Sequence, residues 1–354
     1  MTLFPHVRGP WPRHGLGLPA ADAAAPPTPV DPEAGWTPDV LDGFERRSLA
    51  LNADRQGPNV VTVVRRRAAT RHRDPCRRSF LAVHGWSDYF YNAPLAEAVE
   101  SAGYAFHAVD LRHHGRSLRP GQTPGFVDRL DRHHEDLDAA LALIAEDHPA
   151  PPVVEAHSTG GLTTALWAAD RPEAASALVL NSPWLQTHGG PLARAVAGPA
   201  VRRIARRDPY EILPLPRVDH YWRSLSAEAD GEWDLEPAWR DRWAFAVPAG
   251  WLAAVLDGHT TVARGLDLPV PVLVLVSDRG GLPLATRRRA ASSDVILSPR
   301  AQARAARRLG PGVVVHRCPG ALHDVFASAP PVRRAALDAT LSWLAETAPP
   351  RVAG

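Results

Sequence analysis

Ser158 stands between a run of strand-forming residues, Pro152 to Glu155, and a small-residue stretch ready to form a helix, Gly161 to Ala169. A serine squeezed between a buried strand and a helix must sit on a tight, strained turn. Its neighbours must be small, because larger ones would collide with adjacent strands and with the turn's own backbone. They read Ala156-His157-Ser158-Thr159-Gly160. Such a turn pushes the hydroxyl out at the end of a sheet and at the N-terminus of a helix, which is the mechanics of a nucleophile elbow, G-x-S-x-G. Ala156 replaces the first glycine, a one-methyl departure that the turn tolerates where φ stays negative. Small-Ser-small runs are common in Ala-rich chains, so the pattern gains weight only from partners in the right order.

The rest of the chain carries a strand-helix rhythm. Phe44 to Asn52 and Asn59 to Ala68 read as a strand pair joined by a turn at 54–58. Ser79 to Val83 is a short apolar strand ending in His84-Gly85. Ala93 to Ala102 has helical spacing, and Ala105 to Leu111 is another strand. Val127 to Glu146 reads as a long amphipathic helix with Leu130, Leu137, Leu141 and Ile144 on one side. Val153 to Ala156 and Ala177 to Asn181 are further strands. Between Pro183 and about Leu268 the rhythm breaks into helical pieces bearing six tryptophans. It resumes with strands at Val270 to Val276 and Val313 to Arg317, a helix at Ala301 to Leu309 and a closing helix at Val332 to Ala345. This alternation predicts an α/β fold with a mostly parallel central sheet flanked by helices. The expected organisation is an extended Pro/Ala-rich arm over 1–40, a core formed by 41–183 and 269–354, and a helical cap insertion over 184–268.

Composition narrows the function classes. The net charge is +2, all 40 Lys or Arg positions are arginine, and the chain holds 36 prolines, which reads as a compositional bias of the source genome rather than a nucleic-acid signature. The arginine clusters at 65–67, at Arg202, Arg203, Arg206 and Arg207, and at 287–289 read first as solvated faces and second as phosphate or headgroup contacts. Two cysteines, Cys76 and Cys318, make no disulfide framework. No signal peptide and no run long enough for a membrane span are visible, so cytoplasmic residence is the default expectation. His113-His114 and His133-His134-Glu135-Asp136 lack metal-ligand spacing, and no phosphate-binding glycine loop occurs, so neither a metal nor a cofactor is expected.

A serine hydroxyl is a poor nucleophile near neutral pH and needs a base, which in turn needs an orienting carboxylate. On sheets of this kind the chain order is Ser, then Asp or Glu, then His. His323, in Pro319-Gly320-Ala321-Leu322-His323-Asp324, follows the last strand and precedes a helix, and is the expected base. Two acids compete. Asp278 ends the strand before it; Asp294 follows an Arg/Ala-rich excursion. An acid loop, one helix and one strand before His323 favour Asp294, with Asp278 the runner-up. The oxyanion of a carbonyl under attack needs two preorganised N–H donors. Thr159, the residue after the serine, and Trp86, in the loop His84-Gly85-Trp86-Ser87-Asp88, are the candidates. His84, His157, Trp184 and Trp222 are candidates for contacting substrate, although His84 suits a packed loop residue better. The tryptophans of the insertion divide evenly between a small helical core and the wall of an apolar pocket.

Taken in order, His84-Gly85-Trp86, Asp110-Leu111-Arg112-His113-His114-Gly115-Arg116-Ser117, His157-Ser158-Thr159-Gly160-Gly161 and His323-Asp324 resemble the motifs of the α/β-hydrolase superfamily. They are most similar to its monoacylglycerol lipase, lysophospholipase and serine aminopeptidase branch, over about 75 to 345. The resemblance implies an α/β-hydrolase fold with a cap, Ser158 as nucleophile, His323 as base, Asp294 as acid, and Trp86 and Thr159 as oxyanion donors. The departures are Ala156, His113 where a glycine is common, and an acid loop interrupted by residues 279 to 293. The expected activity is cofactor-free cleavage of a carboxylic ester, with an acylglycerol, lysophospholipid or small acyl ester as partner, and no nucleic acid. The alternatives are an aminopeptidase that holds a free amine on Glu228, Asp230, Glu232, Asp234 or Glu236, and a catalytically silent binding fold. Oligomeric state is not legible.

Overall fold

The computed structural model of the protein describes residues 35–67, 74–280 and 290–351. Its strands are β1 (Thr37–Pro38), β2 (Phe44–Asp54), β3 (Gly57–Arg66), β4 (Ser79–Val83), β5 (Ala105–Asp110), β6 (Val153–His157), β7 (Ala177–Asn181), β8 (Val272–Ser277) and β9 (Val313–Cys318). Its α-helices are α1 (Ala93–Ser101), α2 (Arg132–Ala145), α3 (Thr159–Asp170), α4 (Gly190–Arg207), α5 (His220–Leu225), α6 (Ala249–Arg264), α7 (Pro299–Ala306) and α8 (Pro330–Thr347).

The strands form one sheet in the order β1-β2-β3-β5-β4-β6-β7-β8-β9. β1, β2, β3 and β5 pair antiparallel in turn. From β5 through β9 every pair is parallel. The central strands are apolar along their length because helices cover both faces. One face packs on α2, α3 and α6 through Leu137, Leu162, Trp251 and Val255. The other packs on α1 and α8 through Val99, Leu337 and Leu344. Strand order reverses at β4, with β5 on one side and β6 on the other. Loops leaving the carboxyl ends of β4 and β6 therefore diverge around a crevice, the usual place for a ligand on such a sheet.

Several expected boundaries shift. Residues 1–34 of the arm, Ala68 and residues 281–289 lie outside the described residues. The last residues expected in the arm instead join the sheet: Thr37 pairs with Arg46, and the Arg65 guanidinium lies 3.8 Å over the Trp36 ring. The helix expected from Val127 begins at Arg132, because Phe126, Val127 and Leu130 reach the core from turns. The segment 184–268 does not stay apart from the core. Trp251, Val255 and Val262 put α6 on the sheet, so the part lying off it ends near residue 248.

The Asp110–Ser117 motif works as a pin. Asp110 ends β5 and accepts N–H bonds from Phe90 at 2.9 Å and Arg116 at 2.8 Å. The Arg116 guanidinium bridges Asp110 at 2.9 Å and Asp39 at 2.6 Å, all three side chains being buried. Gly115 has φ 45°, and a Cβ there would fall 2.3 Å from the Asp110 carboxylate. Arg116→Gln takes the cation from buried Asp110 and leaves buried Asp39 with the more distant Arg46, at 3.7 Å. It is expected to cost about 3 kcal/mol or more, measured as a lower urea midpoint; an unchanged midpoint would contradict the pin.

Candidate active site

Ser158 links β6 directly to α3 and adopts φ 52°, ψ −115°, a region a residue with Cβ enters only under constraint. Its N–H donates to Asn181 O at 3.0 Å, and its carbonyl accepts Trp184 N–H at 2.9 Å. The small neighbours have a steric cause. A Cβ on Gly160 would lie 2.2 Å from His84 O, and one on Gly161 would lie 2.8 Å from Pro183 Cβ. Ala156 lies within β6 outside the positive-φ residues, so its methyl is accommodated. Ser87 and Ser182, following β4 and β7, also have positive φ, 52° and 45°. Backbone strain thus gathers around Ser158.

His323 lies between β9 and α8 and is 2% exposed. Its Nε2 is 2.9 Å from Ser158 Oγ and its Nδ1 is 2.9 Å from Asp294 Oδ2. A carboxylate only accepts, so Nδ1 carries the proton and Nε2 is left to accept from the serine hydroxyl. Burial pushes the imidazole below its ordinary value of 6.5, with Asp294 pulling the other way. Asp294 is buried, and its second oxygen accepts the N–H groups of Ile296 at 2.8 Å and Leu297 at 2.7 Å. Asp278 is not in this chain of contacts. It accepts Gly320 N–H at 2.8 Å and pairs with Arg279 at 3.1 Å.

The other expected residues fall into distinct places. The loop bearing Trp86 lies against Ser158, since a Cβ on Gly85 would be 3.1 Å from Ser158 Cβ. Thr159 opens α3, whose N-terminus favours negative charge. The Trp86 ring lies 3.6 Å from that of Trp251, with Phe245 at its edge. His84 braces this loop. Its Nδ1 donates to Gly85 O at 2.8 Å, its Nε2 accepts Leu111 N–H at 3.0 Å, and burial lowers its pKa to about 4. His157 has its ring 4.8 Å from that of His323 and its Nδ1 3.4 Å from Asp88. Trp184 is half-buried among Trp251 and His259. Trp222 lies under the Arg242 guanidinium instead. Its neighbour Tyr221 is the residue whose ring meets His323, at 5.4 Å, and whose hydroxyl accepts Asp324 N–H. Among the described residues no group of three or more His, Cys, Asp or Glu is arranged to hold a metal.

Sequence reasoning missed the polar layer behind His323. Glu155 and His157 alternate off β6 toward the α1/α8 face, while Val154 and Ala156 point to the other. A cavity of about 40 Å³ there is lined by Asp88, Tyr91, Glu155, His157, Asn181 and Asp324. Arg240, 4% exposed, bonds Asp88 and lies over the rings of Tyr91 and Tyr221. Burial, then the charge of Asp324, pushes the Glu155 carboxyl up to about 8, so it stays protonated at neutral pH. In the unfolded chain it ionises near 4.5. Between those values only the unfolded state gives up the proton, so stability falls as pH rises. Glu155→Gln removes that loss. The variant is expected to gain on the parent as pH rises from 5 to 8, reaching on the order of 3 kcal/mol in urea unfolding; a pH-independent difference would contradict it.

With this geometry in hand, comparison with known proteins is direct. The family model described as serine aminopeptidase, S33, matches residues 74–329. A monoacylglycerol lipase of Mycolicibacterium smegmatis is 29% identical over 282 residues, covering 77% of this chain and 89% of that protein. The crystal structure of Paleococcus ferrophilus monoacylglycerol lipase is similar with a TM-score of 0.57 at 20% identity, covering 77% of this chain and 96% of that one. A soluble variant of Saccharomyces cerevisiae monoglyceride lipase, solved with a substrate analog, gives 0.59 at 14% identity, covering 92% and 97%. The two structures share the α/β-hydrolase fold with this sheet.

Proposed function

This chain belongs to the serine aminopeptidase (S33) family and is a serine hydrolase of the α/β-hydrolase superfamily, and we propose that it cleaves carboxylic esters of the acylglycerol, lysophospholipid or small acyl type through an acyl-enzyme on Ser158. The observation that carries this reading is the unbroken contact chain Ser158 Oγ, His323 Nε2, His323 Nδ1, Asp294 Oδ2, with both heavy-atom separations at 2.9 Å.

Ser158 Oγ attacks the ester carbonyl while its proton passes to His323 Nε2. Asp294, its second oxygen held by two backbone N–H groups, stabilises the imidazolium. The carbonyl oxygen becomes anionic and takes the N–H groups of Trp86 and Thr159 at the start of α3. The alcohol leaves with the proton from His323. Water then enters, gives its proton to the same nitrogen and frees the acid. The aromatic surroundings of Trp86, Trp184, Trp251 and Phe245 suit an acyl chain. A lipid ester is also the substrate class of a monoacylglycerol lipase such as the Mycolicibacterium smegmatis relative.

Two of the five acidic residues expected to hold a free amine are engaged otherwise. Asp230 pairs with Arg223, and Glu232 with Arg333. Those two are then not free to hold an amine, which weighs toward an ester. We expect a series of p-nitrophenyl esters to be turned over and aminoacyl anilides to be left intact; the reverse preference would overturn the ester reading. Ser158→Ala is expected to lower kcat by roughly 10⁶ with little change in melting temperature. Asp294→Asn is expected to lower it by roughly 10⁴, and Asp278→Asn by no more than a few-fold. His323 accepts a proton only when neutral. Turnover should therefore fall as pH drops through its pKa, with a midpoint below 6.5; a midpoint above it would contradict the burial argument.

A further inference from the structure

Asn181 is the last residue of β7 and is 1% exposed. Ala177 and Val179 face α1 and α8, while Leu178 and Leu180 face the opposite way, so alternation sends the Asn181 side chain toward α1 and α8. A buried amide must find partners for its donors and its acceptor. Asn181 finds them in the loop that carries His323. Its Nδ2 donates to Asp324 Oδ1 at 2.8 Å, and its Oδ1 accepts the Val325 N–H at 3.0 Å. A flipped amide would set donor against donor and acceptor against acceptor, so these two partners fix its orientation.

The same residue holds the nucleophile. Its carbonyl accepts the Ser158 N–H at 3.0 Å, where the Ser158 backbone is strained at φ 52°. Ser158 and His323 are 165 residues apart in the chain, and Asn181 is bonded to both of their loops. The serine thus hangs on the main chain of Asn181, and the loop of the base hangs on its side chain. Asp324 passes the hold onward. Its Oδ1 also takes the N–H groups of Phe326 at 3.0 Å and Ala327 at 3.3 Å, closing the turn that follows His323. Reacting groups must be held to roughly 0.5 Å, and a loop residue meets that demand only where its neighbours are pinned.

We propose that Asn181 is a positioning residue, its side chain setting His323 against Ser158 by fastening Asp324 and Val325. The inference rests on the reading of Ser158 as nucleophile and His323 as base, and adds a residue that touches none of the reacting atoms. The ionisable groups facing this clasp come from several elements. Glu155 and His157 lie on β6, the Glu155 carboxyl meeting the Asn181 side chain. Asp88 and Tyr91 follow β4 and line the same cavity. Tyr221 of α5 accepts the Asp324 N–H, and Arg240 lies over the rings of Tyr91 and Tyr221.

Two variants of the full chain test the clasp. Asn181→Leu removes both side-chain bonds and keeps the main-chain bond to Ser158. Its kcat on a p-nitrophenyl ester, taken well below its melting temperature, is expected to fall roughly 10- to 100-fold. KM should stay within about threefold, and phosphonylation of Ser158 by a fluorophosphonate should slow in proportion to kcat. Asn181→Asp separates positioning from lost packing. The new carboxyl replaces the amide while it shares a proton with Asp324, donating to one side and accepting on the other; once both ionise, they repel. Glu155 titrates near 8 in the parent as well, so each variant is read as a ratio to the parent. The kcat ratio of Asn181→Asp should exceed that of Asn181→Leu by roughly tenfold at about pH 6 and converge on it by about pH 9, while that of Asn181→Leu stays flat. This profile is read even where Asn181→Leu fails to fold. Parental kcat in Asn181→Leu, a loss carried by KM alone, or a pH-independent ratio for Asn181→Asp would overturn the clasp and leave the hydrolase reading intact. A parent that cleaves no ester and takes no phosphonate on Ser158 sinks both.

Discussion

The imidazole of His323 is where the chain's long-range order converges. It joins a serine that ends β6, a carboxylate that follows β8, and its own loop after β9, through two contacts of 2.9 Å. None of these loops is near another in sequence. Adjacent parallel strands bring their carboxyl ends to one edge of the sheet. The Ser158 hydroxyl reaches that edge only because the backbone accepts φ 52° there, and it accepts it because Gly160 and Gly161 let β4, α3 and Pro183 close in. The strain is held by packing on both sides rather than by the turn itself.

That arrangement concentrates polar groups where the core would otherwise be apolar. Glu155 occupies the centre of a buried strand, Arg240 is buried against Asp88, and Asp324 is held by Asn181 and the N–H groups of Phe326 and Ala327. Such groups cost folding stability, and proteins keep them mostly where a site needs them. The Arg116 cluster lies at the far end of β5's loop and fastens residue 39 to the sheet. Together these groups surround the crevice at β4 with fixed polar and charged side chains.

Much of the fold was legible because parallel strands are short, apolar and punctuated. Ser79–Val83 and Ala177–Asn181 match the expected strands end to end. The start of α2 was not, since Val127 and Leu130 keep helical spacing while being buried from turns. Nor was the end of the off-sheet segment: α6 has the same apolar pattern whether it packs on a cap or on the sheet. In the site, chain order and spacing pointed to Ser158, His323 and Asp294, the residues found in contact. The side-chain layer around them was hidden. Trp222, one of the insertion's tryptophans expected against substrate, is one residue out of step: Tyr221 turns toward His323 and Trp222 toward Arg242. A glutamate inside Val153-Val154-Glu155-Ala156 was a readable anomaly, a charge in a strand otherwise built for burial.

The account rests on a serine made nucleophilic by a distant histidine, and a fluorophosphonate tests that most directly. The folded protein is incubated with the reagent and its peptides are mapped by mass spectrometry. One phosphonyl adduct is expected, on Ser158, and it should vanish in a His323→Ala variant that still melts as the parent does. A folded protein that stays unmodified at Ser158, or takes the adduct on another residue, would contradict the account.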